Sequence, residues 1–145
     1  MILSIPRFSF KLGNQQKSNR KIYATDVGLR NTIGFRFTQD LGKLAENIAA
    51  LNLLGSSDEL YYFSNAGECD FITKKEAKFQ AIQVCFDNLS EEKIKKREIR
   101  GLLQALHGLN QKQGMILTED FELEERINGK KILFYPLWKF LIDHS

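Results

Sequence analysis

Residues 59–86 read ELYYFSNAGECDFITKKEAKFQAIQVCF and contain three apolar runs separated by two polar segments. The runs at 59–63, 69–73 and 79–86 have the length of strands, and aromatic and β-branched residues are frequent in them. The segments between them, SNAG at 64–67 and KKE at 74–76, are typical of turns. The stretch therefore predicts an antiparallel meander of three strands.

A long helix is predicted on each side of this meander. The first begins at Thr38 or Gln39 and ends at Gly55, and the second begins at Ser90 and ends between Gly108 and Gly114. Apolar residues recur at helical spacing in both: Leu41, Leu44, Ala45 and Ile48 in the first, and Ile99, Leu102, Leu103 and Leu106 in the second.

The segments outside this unit complete the predicted fold. Residues 21–25 form a short strand, and a brief helix follows from Asp26 to about Ile33. GMILT at 114–118 is a buried-type strand, 121–127 and 131–135 form a hairpin around Asn128-Gly129, and Pro136 starts a short helix. A strand that follows a crossover helix pairs in parallel, whereas a meander is antiparallel. We expect an α/β fold in core order α-β-β-β-α-β plus a C-terminal hairpin, with a mixed sheet flanked by helices.

Composition favours one globular domain, at 21–145, with residues 1–20 as an N-terminal arm or linker. The chain has 145 residues, of which 43% are hydrophobic and 27% charged. It has no apolar run long enough to cross a membrane and no secretory cleavage pattern. Cys69 and Cys85 fit no zinc spacing and are interpreted as reduced thiols. We therefore expect a soluble, cytoplasmic protein.

Two isolated acids are the first candidates for chemistry. Glu46 is the one acid in LAENIAALNLL, and Asp70 lies in the apolar run CDFI. An exposed helix flank for Glu46 and a solvated strand end for Asp70 would explain both without a function. In the next strand, Gln83 and Cys85 share one face, because successive side chains alternate.

Several segments carry a resemblance to a known family. KIYATDVGLRNTIGF, LGKLAENIAALNLL, ELYYFSNAGECDFI and FQAIQVCFD resemble the C-terminal domain of prokaryotic, archaeal-type AAA+ ATPases, which belongs to the PD-(D/E)XK superfamily. The similarity continues through ILTED and KKILFYPLWKFL. It implies a restriction-endonuclease-like fold, with a P-loop ATPase and a winged helix as neighbouring domains of a parent protein. The chain has no G-x-x-x-x-G-K-[ST] motif, so no ATP site is expected in it.

The resemblance also implies a metal-dependent nuclease site. Glu46 matches the helix Glu, Asp70 the strand Asp, and Gln83 and Cys85 the two positions of Glu-x-Lys. Glu46, Asp70 and Gln83 would be the ligands of Mg²⁺, held weakly because Gln83 brings no negative charge. Cys85 cannot supply the lysine cation. Lys74 and Lys78 are candidates to replace that cation, although both have the pattern of solvated lysines.

The second long helix carries a basic face that indicates DNA as a partner. Lys93, Lys96, Arg97 and Arg100 recur at i, i+3, i+4 and i+7. A solvated surface would have the same pattern, and so would a ridge that contacts phosphates, with help from Lys17, Arg20 and Lys21. Two functions stay open: a Mg²⁺-dependent nuclease or nuclease-derived DNA-binding domain with a degenerate site, and a catalytically inactive interaction or scaffold module of the ATPase.

Overall fold

The computed structural model describes residues 2–10, 19–25 and 38–144, without the side chains of 38–40. The brief helix predicted from Asp26 to Ile33 and the basic residue Lys17 lie outside the described residues. Within them the chain forms eight strands and three helices. The bounds are β1 Ile2–Ile5, β2 Lys21–Ala24, α1 Thr38–Ser56, β3 Glu59–Ser64, β4 Glu68–Lys75, β5 Lys78–Cys85, α2 Glu92–Gly108, β6 Gln113–Thr118, β7 Leu123–Ile127, β8 Lys130–Pro136 and α3 Leu137–Asp143.

The main sheet has six strands in the order β3-β4-β5-β6-β8-β7. Neighbours in the β3-β4-β5 meander are antiparallel, β6 is parallel to β5 and to β8, and β7 is antiparallel to β8. The predicted mixed α/β sheet is confirmed, with its order α-β-β-β-α-β and its C-terminal hairpin. β1 and β2 form a separate two-stranded antiparallel sheet.

Helices cover both faces of the main sheet. Phe71 and Ile82 are buried with Ala49 and Leu53 of α1, in a cluster to which α3 and β2 also contribute. On the opposite face, Ile72 and Ile116 are buried with Leu102 and Leu106 of α2. Each of the Phe, Ile and Leu side chains among them stabilises the fold by roughly 1.5–3 kcal/mol on burial. The sheet is thus the middle layer between α1 and α2.

Residues 2–10, which the sequence assigns to an arm or linker, pack onto this domain. Ile5 and Phe8 are buried in the two core clusters. The Phe8 N–H donates to the Tyr62 carbonyl at 2.7 Å, and the Tyr62 N–H donates to the Pro6 carbonyl at 3.1 Å. The segment therefore lies along the free edge of β3.

The start of α2 and the two tight strand turns can be compared with their predicted positions. Glu91, not Ser90, is the N-cap of α2, and the Ser90 hydroxyl donates to the Asn88 side chain at 2.6 Å. Asn128 and Gly129 both have positive φ, as the predicted type I′ turn requires. The β4–β5 turn is also tight, since β4 continues to Lys75 and leaves only Glu76-Ala77 as the loop.

The described helices include none that combines the length and apolar character needed to span a bilayer.

Candidate functional site

A β-bulge in β4 sets the geometry of the candidate site. Tyr61 pairs with Ile72, but Phe63 pairs with Cys69, so β4 has one more residue than β3 across this interval. Cys69 therefore packs with Ile72 on the α2 face, while the Asp70 carboxylate reaches a cation on the α1 face. Simple alternation would not place these three side chains in this way.

Gln83 lies where the β4–β5 ladder ends. Backbone pairing runs from Lys75–Lys78 to Phe71–Ile82 and goes no further. At the next position Gln83 Oε1 accepts the Asp70 N–H at 2.8 Å, and Gln83 Nε2 donates to the Glu68 carbonyl at 3.0 Å. The side-chain amide thus takes the place of a peptide group and satisfies two backbone groups of β4.

The second long helix approaches the strands closely at this point. A Cβ on Gly101 of α2 would lie 2.1 Å from the Glu68 carbonyl oxygen and 3.1 Å from Gln83 Nε2. Glycine at 101 is therefore a steric requirement, and its contact leaves Gln83 only 4% exposed.

Lys21 of β2 is the central cation of the site. Its Nζ lies 2.7 Å from Glu68 Oε1, 3.3 Å from Asp70 Oδ1 and 3.5 Å from Glu46 Oε1. The ammonium also lies over the Tyr62 ring, 5.4 Å from its centroid. We call Lys21, Glu46, Glu68 and Asp70 the lysine cluster.

Contacts between β2 and α1 hold Lys21 in this position. The Asn47 amide is fully buried, its Oδ1 accepts the Ala24 N–H at 2.9 Å, and its Nδ2 donates to the Ala24 carbonyl at 2.6 Å. One residue away, the Tyr23 hydroxyl donates to Glu46 Oε1 at 2.5 Å. Glu46 and Asn47 therefore fix β2, and with it the lysine, on α1.

The cluster perturbs the titration of its members. Burial raises the pKa of Asp70 to about 7, the Glu46 charge adds to the rise, and Lys21 and the Val84 N–H oppose it. That N–H donates to Asp70 Oδ2 at 2.9 Å. Burial alone would lower the pKa of Lys21, but Asp70, Glu46 and Glu68 outweigh it and raise that pKa above its usual value. Lys21 is therefore a permanent cation at neutral pH.

A cavity of about 370 Å³ lies beside the cluster. Residues of α2 form one of its walls, and the sequence did not predict them as part of this site. Glu46, Asp70 and Gln83, which the sequence places in one site, all line it. Glu98 and Arg97 of α2 line it as well, with Arg97 Nη2 at 3.2 Å from Glu98 Oε1. Burial raises the pKa of Glu98 while Arg97 lowers it. The helical pattern of α2 predicts that these residues lie on its polar side. It does not predict which strand they approach.

Cys85 lies away from the cluster. It shares the α2-facing side of β5 with Gln83, as the alternation predicts, and is buried in the core on that side. It lines a different cavity, of about 680 Å³, with Thr118 and Phe121. Burial, followed by the Glu98 charge, raises the pKa of Cys85 to about 12, so its thiol stays protonated at neutral pH.

Neither of the two lysines considered as substitutes is the one that contacts Asp70. Lys74 Nζ lies 3.7 Å from Glu59 Oε2 and over the Phe79 ring, and Lys78 is an exposed residue at the turn. The cation that contacts Asp70 is Lys21, 49 residues earlier in the chain. The short alternating strand 21–25 was visible in the sequence, but its docking on α1 depends on contacts too distant for a local pattern to report.

Four basic residues of α2 are exposed on the side of the helix opposite its buried leucines: Lys93, Lys96, Arg97 and Arg100. Arg97 pairs with Asp87 at 3.5 Å and with Glu98 at 3.2 Å. Lys93, Lys96 and Arg100 form no ion pair with any acid among the residues that the structure describes. Three cations on this face are therefore available to an anionic partner.

Comparison of the chain with protein families, with curated proteins and with solved structures finds no match. The family resemblance therefore stays a prediction from the sequence.

The arrangement does not fit the Mg²⁺ that the resemblance implies. Of the three expected ligands, Gln83 uses its carbonyl oxygen on the Asp70 N–H, while Glu46 and Asp70 both lie beside the Lys21 ammonium. Within the described part of the chain, no group of three or more His, Cys, Asp or Glu side chains is arranged to hold a metal ion. Mg²⁺ would have to displace a lysine held by three carboxylates.

Proposed function

We propose that this chain is a restriction-endonuclease-like domain, of the kind that follows the P-loop ATPase and winged helix in AAA+ ATPases, and that it binds nucleic acid without cleaving it. The mixed sheet between α1 and α2 supports the fold. Glu46, Asp70 and Gln83 line one cavity, which supports the proposal that they correspond to the site residues of such nucleases.

The lysine cluster is the reason to propose binding without cleavage. Phosphodiester hydrolysis in such sites depends on carboxylates that hold a metal, which in turn polarises the phosphate and activates water. Here the cationic position is filled by Lys21, and a salt-bridged lysine offers neither a coordination site nor a bound water of lowered pKa. The cluster then stabilises the fold and has no chemical role.

The observation that carries the binding proposal is an exposed set of cations that form no ion pair within the described part of the chain: Lys93, Lys96 and Arg100. Seven residues of helix separate the first from the last, which corresponds to roughly 10 Å along the axis. Cations on one ridge neutralise successive phosphates and release counterions, so binding should be independent of sequence and sensitive to salt.

The test is fluorescence anisotropy of labelled DNA at several salt concentrations. Charge reversal with Lys96→Glu and Arg100→Glu should lower affinity at least tenfold and reduce the salt slope by about 2, because each phosphate contact contributes close to one unit. The matched control is Lys75→Glu with Lys78→Glu, two exposed lysines at the β4–β5 turn. Equal affinity for the Lys96/Arg100 variant and the wild type would refute the proposal.

A second candidate, an interaction or scaffold module, has an observation of its own. Trp138 and Ile142 of α3 are 54% and 66% exposed and lie four residues apart, on one side of the helix. Exposed aromatic and aliphatic side chains of this size occur at protein–protein contacts. Absence of DNA binding at low salt would favour this candidate.

A further inference from the structure

We infer that the nucleic acid is single-stranded and that its bases enter a groove that extends across α2, from Phe63 of β3 on one side to the β7–β8 hairpin on the other. This inference rests on the proposed function and narrows its substrate class. The groove has a volume of about 990 Å³, at the upper end of the range typical of ligand sites. It is distinct from the cavity beside the lysine cluster, although Arg100 borders both.

The floor of the groove is apolar. Ile99 and Leu103 of α2 line it, together with Phe63 of β3 and Ile127 of β7, which lie on opposite sides of the helix. Ile99 belongs to the α2-side core, and the other three are packed against it. A Cβ on Gly108 would lie 3.1 Å from Cε2 of the Phe63 ring. Glycine at the end of α2 therefore leaves the edge of this ring uncrowded. The floor offers a surface for the flat, apolar faces of bases.

The rim of the groove is basic. Four basic side chains line it, Lys95, Lys96, Arg100 and Lys130, against two acidic ones, Glu92 and Glu125. Lys95 is bound to Glu125 at 2.6 Å, and Lys130 Nζ donates to the Gln111 carbonyl at 2.7 Å. Lys96 and Arg100 stay available on the α2 side. A strand laid across α2 would place its phosphates on Lys96 and Arg100 and its bases over the apolar side chains beside the helix.

This combination distinguishes single strands from duplexes. In a duplex the base faces are stacked on one another and only the base edges and the backbone are accessible, so an apolar floor contributes nothing. In a single strand the faces are free, and a basic groove with an aromatic side chain binds the backbone and the bases together. The cationic rim alone would bind both forms.

The experiment compares labelled oligo-dT of about 12 nucleotides with a duplex of the same length, a size that covers common single-strand sites. Wild-type protein should bind oligo-dT at least tenfold more tightly than the duplex. Phe63→Leu, which keeps an apolar side chain but removes the ring, should reduce oligo-dT affinity about tenfold and leave duplex affinity unchanged. Phe121→Leu, at an exposed ring outside the groove, is the control.

Gln104→Glu is a second variant, with little effect on the fold because Gln104 is only partly buried and lines the groove. Its added carboxylate should weaken oligo-dT binding severalfold. The inference is overturned if duplex and oligo-dT bind equally, if Phe63→Leu and Gln104→Glu both bind oligo-dT as wild type does, or if a polyglutamate peptide displaces oligo-dT at matched ionic strength. In the first two cases, a loss of binding in Lys96→Glu with Arg100→Glu would still support the proposed function. If neither nucleic acid binds, both fail.

Discussion

Gln83 shows at the scale of one residue how an apparent catalytic position can become structural. Its amide accepts from the Asp70 N–H and donates to the Glu68 carbonyl, which a carboxylate cannot do. A glutamate at 83, as in the pattern Glu-x-Lys, would face the Glu68 carbonyl oxygen without a proton to share. Gln83 therefore departs from the nuclease pattern and at the same time joins β5 to β4 where their backbone pairing ends.

Gln83→Glu should therefore destabilise the domain by about 2–3 kcal/mol at neutral pH, because it buries a carboxylate against an acceptor. A protonated Glu can donate to the carbonyl, so its pKa should be raised in the folded state. The folded protein then binds more protons than the unfolded one, and the free energy of unfolding falls as pH rises above the usual glutamate range. Urea unfolding of this variant and wild type at several pH values measures this.

Gln80→Glu is the matched control, on an exposed position of the same strand. It should change stability by less than about 0.5 kcal/mol. A Gln83→Glu protein as stable as Gln80→Glu at neutral pH would mean that the Gln83 amide is dispensable.

Lys21 is the second residue whose replacement tests the site. The stability lost on its replacement should depend on pH. Burial raises the pKa of Asp70 from 3.8 to about 7, so its contribution to the free energy of unfolding falls as pH rises from about 4 to 7. Lys21→Met leaves three carboxylates without their cation. The substitution should lower the free energy of unfolding by about 2 kcal/mol above neutral pH, which is less than for a fully buried pair because Lys21 is 23% exposed. Near pH 5 the loss should be smaller still, because Asp70 takes up a proton.

The measurement is chemical denaturation of Lys21→Met and of Lys75→Met, an exposed lysine, across this pH range. The loss in Lys21→Met should shrink on acidification, and Lys75→Met should be close to wild type throughout. A loss that is the same at pH 5 and pH 8 would mean that Lys21 contributes only by packing.

At the scale of elements, hydrophobic periodicity predicted the strands and helices well because their apolar faces are buried on one side. Gln83 and Cys85 do face α2 together, and the Asn128-Gly129 turn has the expected backbone. The bulge at Asp70 was not predictable, since CDFI contains no glycine or other local marker for an additional residue. It arises from pairing with β3, which a single segment does not report.

The two residues of the β4–β5 turn lie in the left-handed backbone region. Glu76 and Ala77 have φ of 52° and 65°, a conformation that costs a residue with a side chain about 1 kcal/mol or more. Ala77→Gly should raise the free energy of unfolding by about 1 kcal/mol. Gly129→Ala, at φ 76° in the other tight turn, should lower it by a similar amount. Thermal unfolding of both variants measures the pair, and a lower melting temperature for Ala77→Gly would contradict the role assigned to the turn.

For the whole molecule, the candidate site depends on three segments that are distant in sequence. β2 brings Lys21, α1 brings Glu46 and Asn47, and β4 brings Glu68 and Asp70. The two carboxylates Glu46 and Asp70 were identifiable because each is an acid in an apolar segment. The lysine was not, because a basic residue at the start of a short strand is ordinary, and only the docking of the two-stranded sheet on α1 brings it to them.

The proposed function requires that Lys21 fills the place of a metal, so that the domain binds nucleic acid but does not hold the ion that cleavage needs. The most direct measurement is a calorimetric titration of the wild-type protein with Mn²⁺, which binds sites built for Mg²⁺. We expect no saturable binding at concentrations up to about 1 mM. One Mn²⁺ bound per chain with higher affinity, and lost in Asp70→Asn, would contradict it.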